Sequence, residues 1–539
     1  MSGSITLENR FGVNKMELIS LKYAIFVIVL LVLYYCFPKK YRWYVLLAGS
    51  MAYYVIICKW YVLFIIFTIC TTYGSTIWID KLLKKQNAIV KSHKEDWDRQ
   101  TRKEYKEKGR KKRVAVMLFA LLCNFGILAF LKYIPYAGEL GLLLPLGISF
   151  YTFQSMGYVM DVYREIVEPE KNFLKVALFV SFFPQIIQGP IAIYDKLAGQ
   201  LYEGHSLRLE NLQKGALLVL WGVMKKLVIA DRAVNIINFV MDKPMDFSGT
   251  YVFFAAVVYA LQLYADFSGG IDIVRGIAEM FGITMSTNFN HPYFSRSLTE
   301  YWHRWHMTLG DWCRNYIFYP LSISKRFLNF GKWLKPRFGA HISKVLPGCI
   351  ASVITFIVIG VWHGANMKYL CFGLWNGIVI MLAELFAPVN KKVAGGFFKL
   401  TGLREKGIFA TIVSVLWTFM LILVGYYFDI AANASTAFHM LFKSVTDFHI
   451  SELGINNIIL NLGACGLDEY DILLLIICTL LWFFISFVEE NKKLDMRDFI
   501  LSRKLPLRWA IIYLGIFIVI IFGYYGPGVN PADFVYMQF

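Results

Sequence analysis

The chain is expected to be an all-α polytopic membrane protein, and three observations carry that expectation. Hydrophobic residues make up 57% of its 539 residues and aromatic residues 17%, with a mean hydropathy of +0.52, well above an ordinary soluble domain. Apolar runs of about twenty residues, the helix length that crosses a hydrocarbon core, recur along the chain. The basic residues behind the formal net charge of +18 lie between these runs, as cytoplasmic loops require. Anionic lipid headgroups account for that charge, and no nucleic-acid partner is expected.

The runs place spans near 17–37, 43–58, 60–80, 114–133 and 141–160, with turns at Pro38-Lys39-Lys40 and Lys59. The first run has no strongly basic stretch before it and no small-residue cleavage site, so it reads as a retained span. Residues 81–113 form the most basic stretch, with Lys106, Lys108, Arg110, Lys111, Lys112 and Arg113, and read as a cytoplasmic loop. The segment 173–193 contains Phe183-Pro184-Gln185 and Gln188-Gly189-Pro190, too broken and polar for a plain span. It reads as re-entrant, because non-helical backbone at depth needs protein or a wet cavity around it. Lys225, Lys226, Asp231 and Arg232 interrupt 215–240, which reads as tilted or partly interfacial.

A span near 249–267 precedes a basic stretch, 268–345, placed mostly at the cytoplasmic face. Further spans near 346–362, 367–388, 408–428, 471–488 and 509–525 complete the chain. Lys391, Lys392, Arg404 and Lys406 mark inside loops, and Asp447, Glu452, Asp468 and Glu469 mark 429–470 as an acidic outer loop. The sum is roughly twelve spans with both termini outside, in a single domain, 1–539, with its catalytic region at about 264–377. Nine cysteines occur without a metal-like pair spacing and read as buried thiols. No metal is expected.

Two histidines are hard to justify as packing. His306 lies in Tyr301-Trp302-His303-Arg304-Trp305-His306-Met307, and His363 in Gly360-Val361-Trp362-His363-Gly364-Ala365-Asn366. An ionisable group at membrane depth must be partnered or line a wet cavity, so each is a functional candidate. The loop charges put His306 near the inner face and His363 deeper or toward the outer side. Nucleotide fingerprints and a G-x-S-x-G nucleophile elbow do not occur. A transporter would explain the spans and the broken segment, yet the paired breaks of related halves are missing.

Several blocks in order carry a family resemblance over nearly the whole chain. They are Leu144-Pro145-Leu146-Gly147-Ile148-Ser149-Phe150-Tyr151-Thr152-Phe153, Asp161-Val162-Tyr163-Arg164, and Ser181-Phe182-Phe183-Pro184-Gln185 with Gly189-Pro190. Tyr264-Ala265-Asp266-Phe267-Ser268-Gly269-Gly270, Asn288-Phe289-Asn290-His291-Pro292-Tyr293, Arg304-Trp305-His306, Val361-Trp362-His363-Gly364-Ala365 and a terminal 534–539 block follow. In this order they resemble the membrane-bound O-acyltransferases, MBOAT. Within that family the resemblance is to the bacterial branch serving alginate O-acetylation and teichoic-acid D-alanylation, with chain length favouring the former. His303, Gly310-Asp311 and Asn315 depart from the family pattern, the last standing where an aspartate is usual.

The resemblance implies an MBOAT fold, with re-entrant and interfacial helices around a central tunnel, in a bacterial cell membrane. It further implies transfer of an acyl group, foremost acetyl, from a cytoplasmic thioester to an extracytoplasmic polysaccharide or cell-wall glycan. The donor would be acetyl-CoA or an acylated carrier protein, with no bound cofactor, and an outer SGNH-type partner would pass the group on to the glycan. D-alanyl transfer to teichoic acid is the alternative. A hydroxyl is a poor nucleophile near neutral pH, and an imidazole base gains roughly two to four orders of magnitude, so His363 is expected to be the base. His306 would orient a substrate or stabilise oxyanion charge.

Asp266 reads as a donor-side or histidine-orienting carboxylate or as a helix cap. Arg304 and Arg314 read as ligands for coenzyme A or phosphopantetheine phosphates, or as positive-inside anchors. Asn288, Trp305, Trp362 and Asn366 complete the candidate substrate-binding set, with Asn288 and Asn290 also suited to satisfying loop backbone. A passage between the histidines would be lined by 288–312, 361–366 and 184–190.

Overall fold

In a computed structural model the structure describes residues 16–539, except 136–137, 139, 402–403, 405–406, 455–456, 458–462, 527–533 and 535–539. The secondary structure of the described residues is helical throughout, as the apolar runs predict. Eight helical stretches among them are long and apolar enough to cross a membrane: Lys39–Ser92, Arg99–Tyr133, Gly249–Met280, Lys325–His363, Met367–Leu385, Ile408–Ile430, Glu469–Lys492 and Leu505–Phe522. The chain is a multi-pass membrane protein. Residues 43–80 fall in one such stretch, made of two helices joined by a 3-10 turn at Lys59–Tyr61; the first run and the 141–160 run give helices of 16 residues, and 215–240 is interrupted.

The chain packs as two compact units. One comprises residues up to Val219 together with Ile271–Ser286, and the other Leu220–Gly270 with Thr287–Phe539. The first unit contains α1 (Leu21–Cys36), α2 (Arg42–Cys58), α3 (Val62–Ser92), α4 (Arg99–Tyr133), α5 (Ile148–Tyr163), α6 (Phe173–Ser181), α7 (Phe183–Gln188), α8 (Tyr194–Tyr202) and the start of α9 (Leu209–Met224).

The basic stretch 81–113 is not a loop. Helix α3 extends to Ser92 and α4 begins at Arg99, where the Asp98 carboxylate caps the amides of Gln100 and Thr101 at 3.2 and 3.0 Å. Long straight-chain residues such as Lys, Glu and Arg are good helix formers, so a charged run continues a helix into water. Helix α5 has no lipid-facing side, since every residue from Ile148 to Val162 is buried.

The broken segment expected at 173–193 is present. Helices α6 and α7 meet at Phe182, whose ψ of 113° breaks the helix ahead of Pro184. Fifteen helical residues rise only about 22 Å, short of the ~30 Å hydrocarbon core. Protein groups satisfy the backbone at the break: Ser50 Oγ accepts from the Phe183 amide at 3.1 Å, and Gln185 donates to the Pro190 carbonyl at 3.1 Å. Gly147, at φ 70°, passes so close to the Ile186 carbonyl that a Cβ there would lie 2.3 Å from it.

The second unit contains the end of α9, a π-helix at Lys225–Ala230, α10 (Asp231–Met241), most of α11 (Gly249–Met280) and the short helices α12 (Leu298–Arg304), α13 (Met307–Cys313) and α14 (Tyr319–Ser322). It continues through α15 (Lys325–His363), α16 (Met367–Leu385), α17 (Ala387–Thr401), α18 (Ile408–Ile430), α19 (Ala434–Thr446), α20 (Glu469–Lys492), α21 (Met496–Leu501) and α22 (Leu505–Phe522). Its apolar core gathers Val228, Ile229 and Ala233 with Val252, Ala255 and Ala256, and with Phe428, Met440 and Trp482.

Glycines let α15 and α16 approach closely, the device that membrane helices use in place of a hydrophobic drive. A Cβ on Gly373 would lie 2.3 Å from the Phe356 carbonyl, and one on Gly360 2.3 Å from the Tyr369 carbonyl. The π-helix leaves the Leu227 carbonyl to accept from the Tyr524 amide at 2.8 Å, which ties the chain beyond α22 onto it. Of the terminal 534–539 block, all but Phe534 lies outside the described residues, as does Lys406.

Candidate active site

The site is built on a sharp reversal between α12 and α13. Ser297 caps α12 by accepting from the Glu300 amide at 3.1 Å, and the helix ends at Trp305 in extended conformation. His306 then adopts left-handed φ 46°, ψ 50°, uncommon for a residue with a Cβ and typical of functional positions where the surroundings impose it. Here they do: the Asn288 carbonyl accepts from the Met307 amide at 2.9 Å, and the Arg304 carbonyl from the Asn290 amide at 3.0 Å. The reversal is thereby clipped to the 288–290 strip.

The same strip fixes the imidazole. Asn288 Oδ1 lies 3.1 Å from the Thr308 amide nitrogen and 2.8 Å from Thr308 Oγ1. A backbone N–H can only donate, so this amide oxygen is identified without reference to any proton on the ring. The same oxygen is 3.2 Å from His306 Nδ1. Nδ1 must therefore carry the proton, and Nε2 presents its lone pair. Burial, with His363 nearby as a lesser cause, lowers the His306 pKa to about 3. The ring is neutral, only 2% exposed, and lies outside the eight spans. A neutral ring protonated at Nδ1 has no N–H at Nε2 to offer an oxyanion. In this tautomer Nε2 is suited to orienting a hydrogen-bond donor.

His363 arrives from the far end of α15, a 39-residue helix capped at its start by Ser324 and bent where Gly339 takes φ 81°. It and His306 line one cavity with Leu263, Tyr301, Trp302, Trp305, Leu309, Phe372, Asn376, Ile422, Tyr426 and Asp429. The expectation of two stations at different depths is thus replaced by one shared chamber. Trp362 is buried next to both rings, 6.3 Å from His306 and 4.9 Å from His363 between centroids. Trp305 packs against Phe289 and Tyr301 at 5.0 and 5.7 Å. The Trp302 indole donates to Asn376 at 3.0 Å, joining α12 to α16.

Other candidates fall elsewhere. Asp266 turns to Lys226, whose Nζ is 2.7 Å from its carboxylate and 2.8 Å from that of Asp231, both side chains fully buried. It does not orient a histidine. Burial works against the Lys226 charge, but the two carboxylates outweigh it and raise its pKa. Arg304 pairs with Glu300 at 2.7 Å and Glu490 at 3.0 Å, and Arg314 with Asp311. Their charge is already answered by carboxylates, which weighs against the phosphate reading. Asn366 caps α16, accepting from the Lys368 amide at 3.1 Å. His303 is exposed. Pro184–Pro190 belongs to the first unit. Tyr301, Tyr426 and Asp429 escaped the sequence reading as site residues, and Lys226 entered it only as an interruption of 215–240. An aspartate at the end of an apolar run looks like the first residue of a loop, and tyrosines in a membrane chain look like packing.

Comparison with known proteins shows what the chain is similar to. Residues 169–335 match the model of MBOAT, the membrane-bound O-acyltransferase family. The MBOAT match takes in Asn288 and His306 but stops short of His363. Among curated proteins, the chain is 30% identical over 315 residues to a probable alginate O-acetylase AlgI of Pseudomonas syringae, covering 58% of this chain and 54% of that one. It is 30% identical over 314 residues to a peptidoglycan O-acetyltransferase of Helicobacter pylori, covering 51% and 56%. A teichoic acid D-alanyltransferase of Bacillus subtilis is 26% identical over 288 residues, covering 52% and 67%. The matched region thus spans little more than half the length of the first two of these relatives.

Proposed function

We propose that this chain is a membrane O-acyltransferase that takes an acetyl group from a cytoplasmic thioester, acetyl-CoA or an acylated carrier protein, for O-acylation of an extracytoplasmic glycan, with an SGNH-type protein outside as its partner. The observation that supports this reading best is the convergence of His306 and His363, from distant parts of the chain, on one aromatic-lined cavity. The names of the relatives agree in reaction type: two are acetylases of glycans and one transfers D-alanine.

In the proposed step the oxygen of an alcohol attacks the thioester carbonyl carbon, forming a C–O bond, while His363 takes the hydroxyl proton. Collapse breaks the C–S bond, and the departing thiolate takes the proton back, so the products are an ester and a free thiol. His306, neutral and presenting Nε2, orients the alcohol. Acetyl leads over D-alanyl, which remains the second reading on the Bacillus resemblance.

Mass spectrometry of envelope and secreted glycans from cells with and without the gene tests this directly. An O-acetyl mark that disappears with the gene and returns with the intact copy is expected. The His363→Ala variant should insert normally yet restore less than about 1% of the mark, since loss of a general base costs roughly two to four orders of magnitude, and His306→Ala should lower the mark by a smaller factor. A D-alanyl mark would select the second reading. Unchanged glycans would sink both.

A further inference from the structure

The hydroxyl protons of the cavity wall can be followed one by one. Tyr293 Oη donates to the Ala260 carbonyl at 2.7 Å, which consumes its single proton. Its contact with Tyr426 Oη at 3.0 Å must therefore be a bond that Tyr426 donates. Tyr426 has then spent its own proton, so the 2.8 Å contact with Tyr301 is donated by Tyr301. The chain runs one way, Tyr301 to Tyr426 to Tyr293 to a backbone carbonyl, where it ends and can pass no proton further.

Tyr301 and Tyr426 are cavity residues, and both have their protons turned away from any occupant. His306 Nε2 presents a lone pair, and the Asn376 amide oxygen already receives the Trp302 indole. Asp429, at the end of α18, lines the same cavity, and one of its carboxylate oxygens accepts from Tyr259 at 2.7 Å. The nearby Lys368 ammonium bonds the main-chain carbonyls of Asp429 and Ala431, at 2.8 and 2.7 Å, and so caps the helix end. Tyr301, Tyr426, His306, Asn376 and Asp429 thus bring acceptors to the wall, and the ring N–H groups of Trp305 and His363 are donors beside them. A ligand bringing O–H groups finds several partners there. The loop charges place this end of α18 toward the outer face, the side from which a glycan would come.

We propose that Asp429, with Tyr301, Tyr426 and His306, forms the subsite that binds the alcohol acceptor, and that Asp429 is a specificity residue holding its hydroxyl groups beside the two histidines. This rests on the O-acyl transfer reading above. The same donor chemistry could come from the ammonium of an aminoacyl thioester, and the test separates the two sources.

The full-length protein in lipid nanodiscs would be given acetyl-CoA or D-alanyl-CoA, with glycerol as a minimal alcohol acceptor, and ester formation and thioester loss followed by mass spectrometry. Asp429→Asn is expected to raise the KM for glycerol at least tenfold while the KM for acetyl-CoA stays within twofold, and Asp429→Glu to recover part of the difference. Size-exclusion profiles matching the parent protein would show both variants folded. An unchanged glycerol KM in Asp429→Asn overturns the subsite and leaves the enzyme reading standing. A change confined to the KM for D-alanyl-CoA overturns it too, in favour of an ammonium site. Thioester loss to water with no glycerol ester, in the parent protein, also overturns it. No thioester loss at all in the parent protein would instead overturn the O-acyl transfer reading.

Discussion

At the scale of single residues the site depends on one amide oxygen. Asn288 Oδ1 receives the Thr308 amide, the Thr308 hydroxyl and the His306 ring proton. Truncation would leave buried donors without an acceptor, at about 1–3 kcal/mol each, and would let the His306 proton move to Nε2. Asn288→Ala is expected to lower acyl transfer about 100-fold with modest loss of protein, whereas Asn288→Asp, which keeps an acceptor in place, should retain more activity than alanine. Glycan O-acyl content against immunoblot signal measures both. Equal activity in the two variants would show that the ring is oriented by something else. Sequence reading placed Asn288 in the substrate-binding set or in loop backbone but not beside His306, since a side chain's bonding partner lies in space rather than in spacing.

At the scale of elements, the reach of His363 into the cavity depends on how α15 lies against α16. The glycines at 360, 373 and 377 leave no room for a side chain between the two helices: a Cβ on Gly377 would sit 2.9 Å from the Val353 Cα. Gly373→Val should push the helices apart and withdraw His363 from the chamber, cutting transfer at least tenfold while insertion persists. Measurement is again of glycan acylation normalised to membrane-inserted protein, and normal acylation would mean that the close approach is incidental. Helix existence was legible from apolar period and length, as the agreement of 408–428 with Ile408–Ile430 and of 471–488 with Glu469–Lys492 illustrates. The ends were less legible. Helices α3 and α4 extend into the charged stretch because helix propensity continues where hydrophobicity stops.

At the scale of the whole molecule, the charge bias of the loops predicts sidedness. With the exposed Cys36 and Cys70 changed to serine, single cysteines at Glu95 should react with a membrane-impermeant thiol reagent only after the inner face is opened. Cysteines at Glu452 should react in intact cells. Reversed labelling would invert the donor-inside, acceptor-outside scheme.

What the sequence by itself determined is the class of solvent and the inventory: an all-helical membrane chain, a broken segment around Pro184, and two histidines that apolar surroundings leave no reason to keep. Those follow from composition and local period, which are properties of the chain read in one direction. Only the tertiary structure decided that His306 and His363 share a chamber, that Asp266 serves Lys226 rather than a histidine, and that Asp429 lines that chamber. Each of these is a meeting of residues far apart in the chain, fixed by helix packing and by which atom holds the proton.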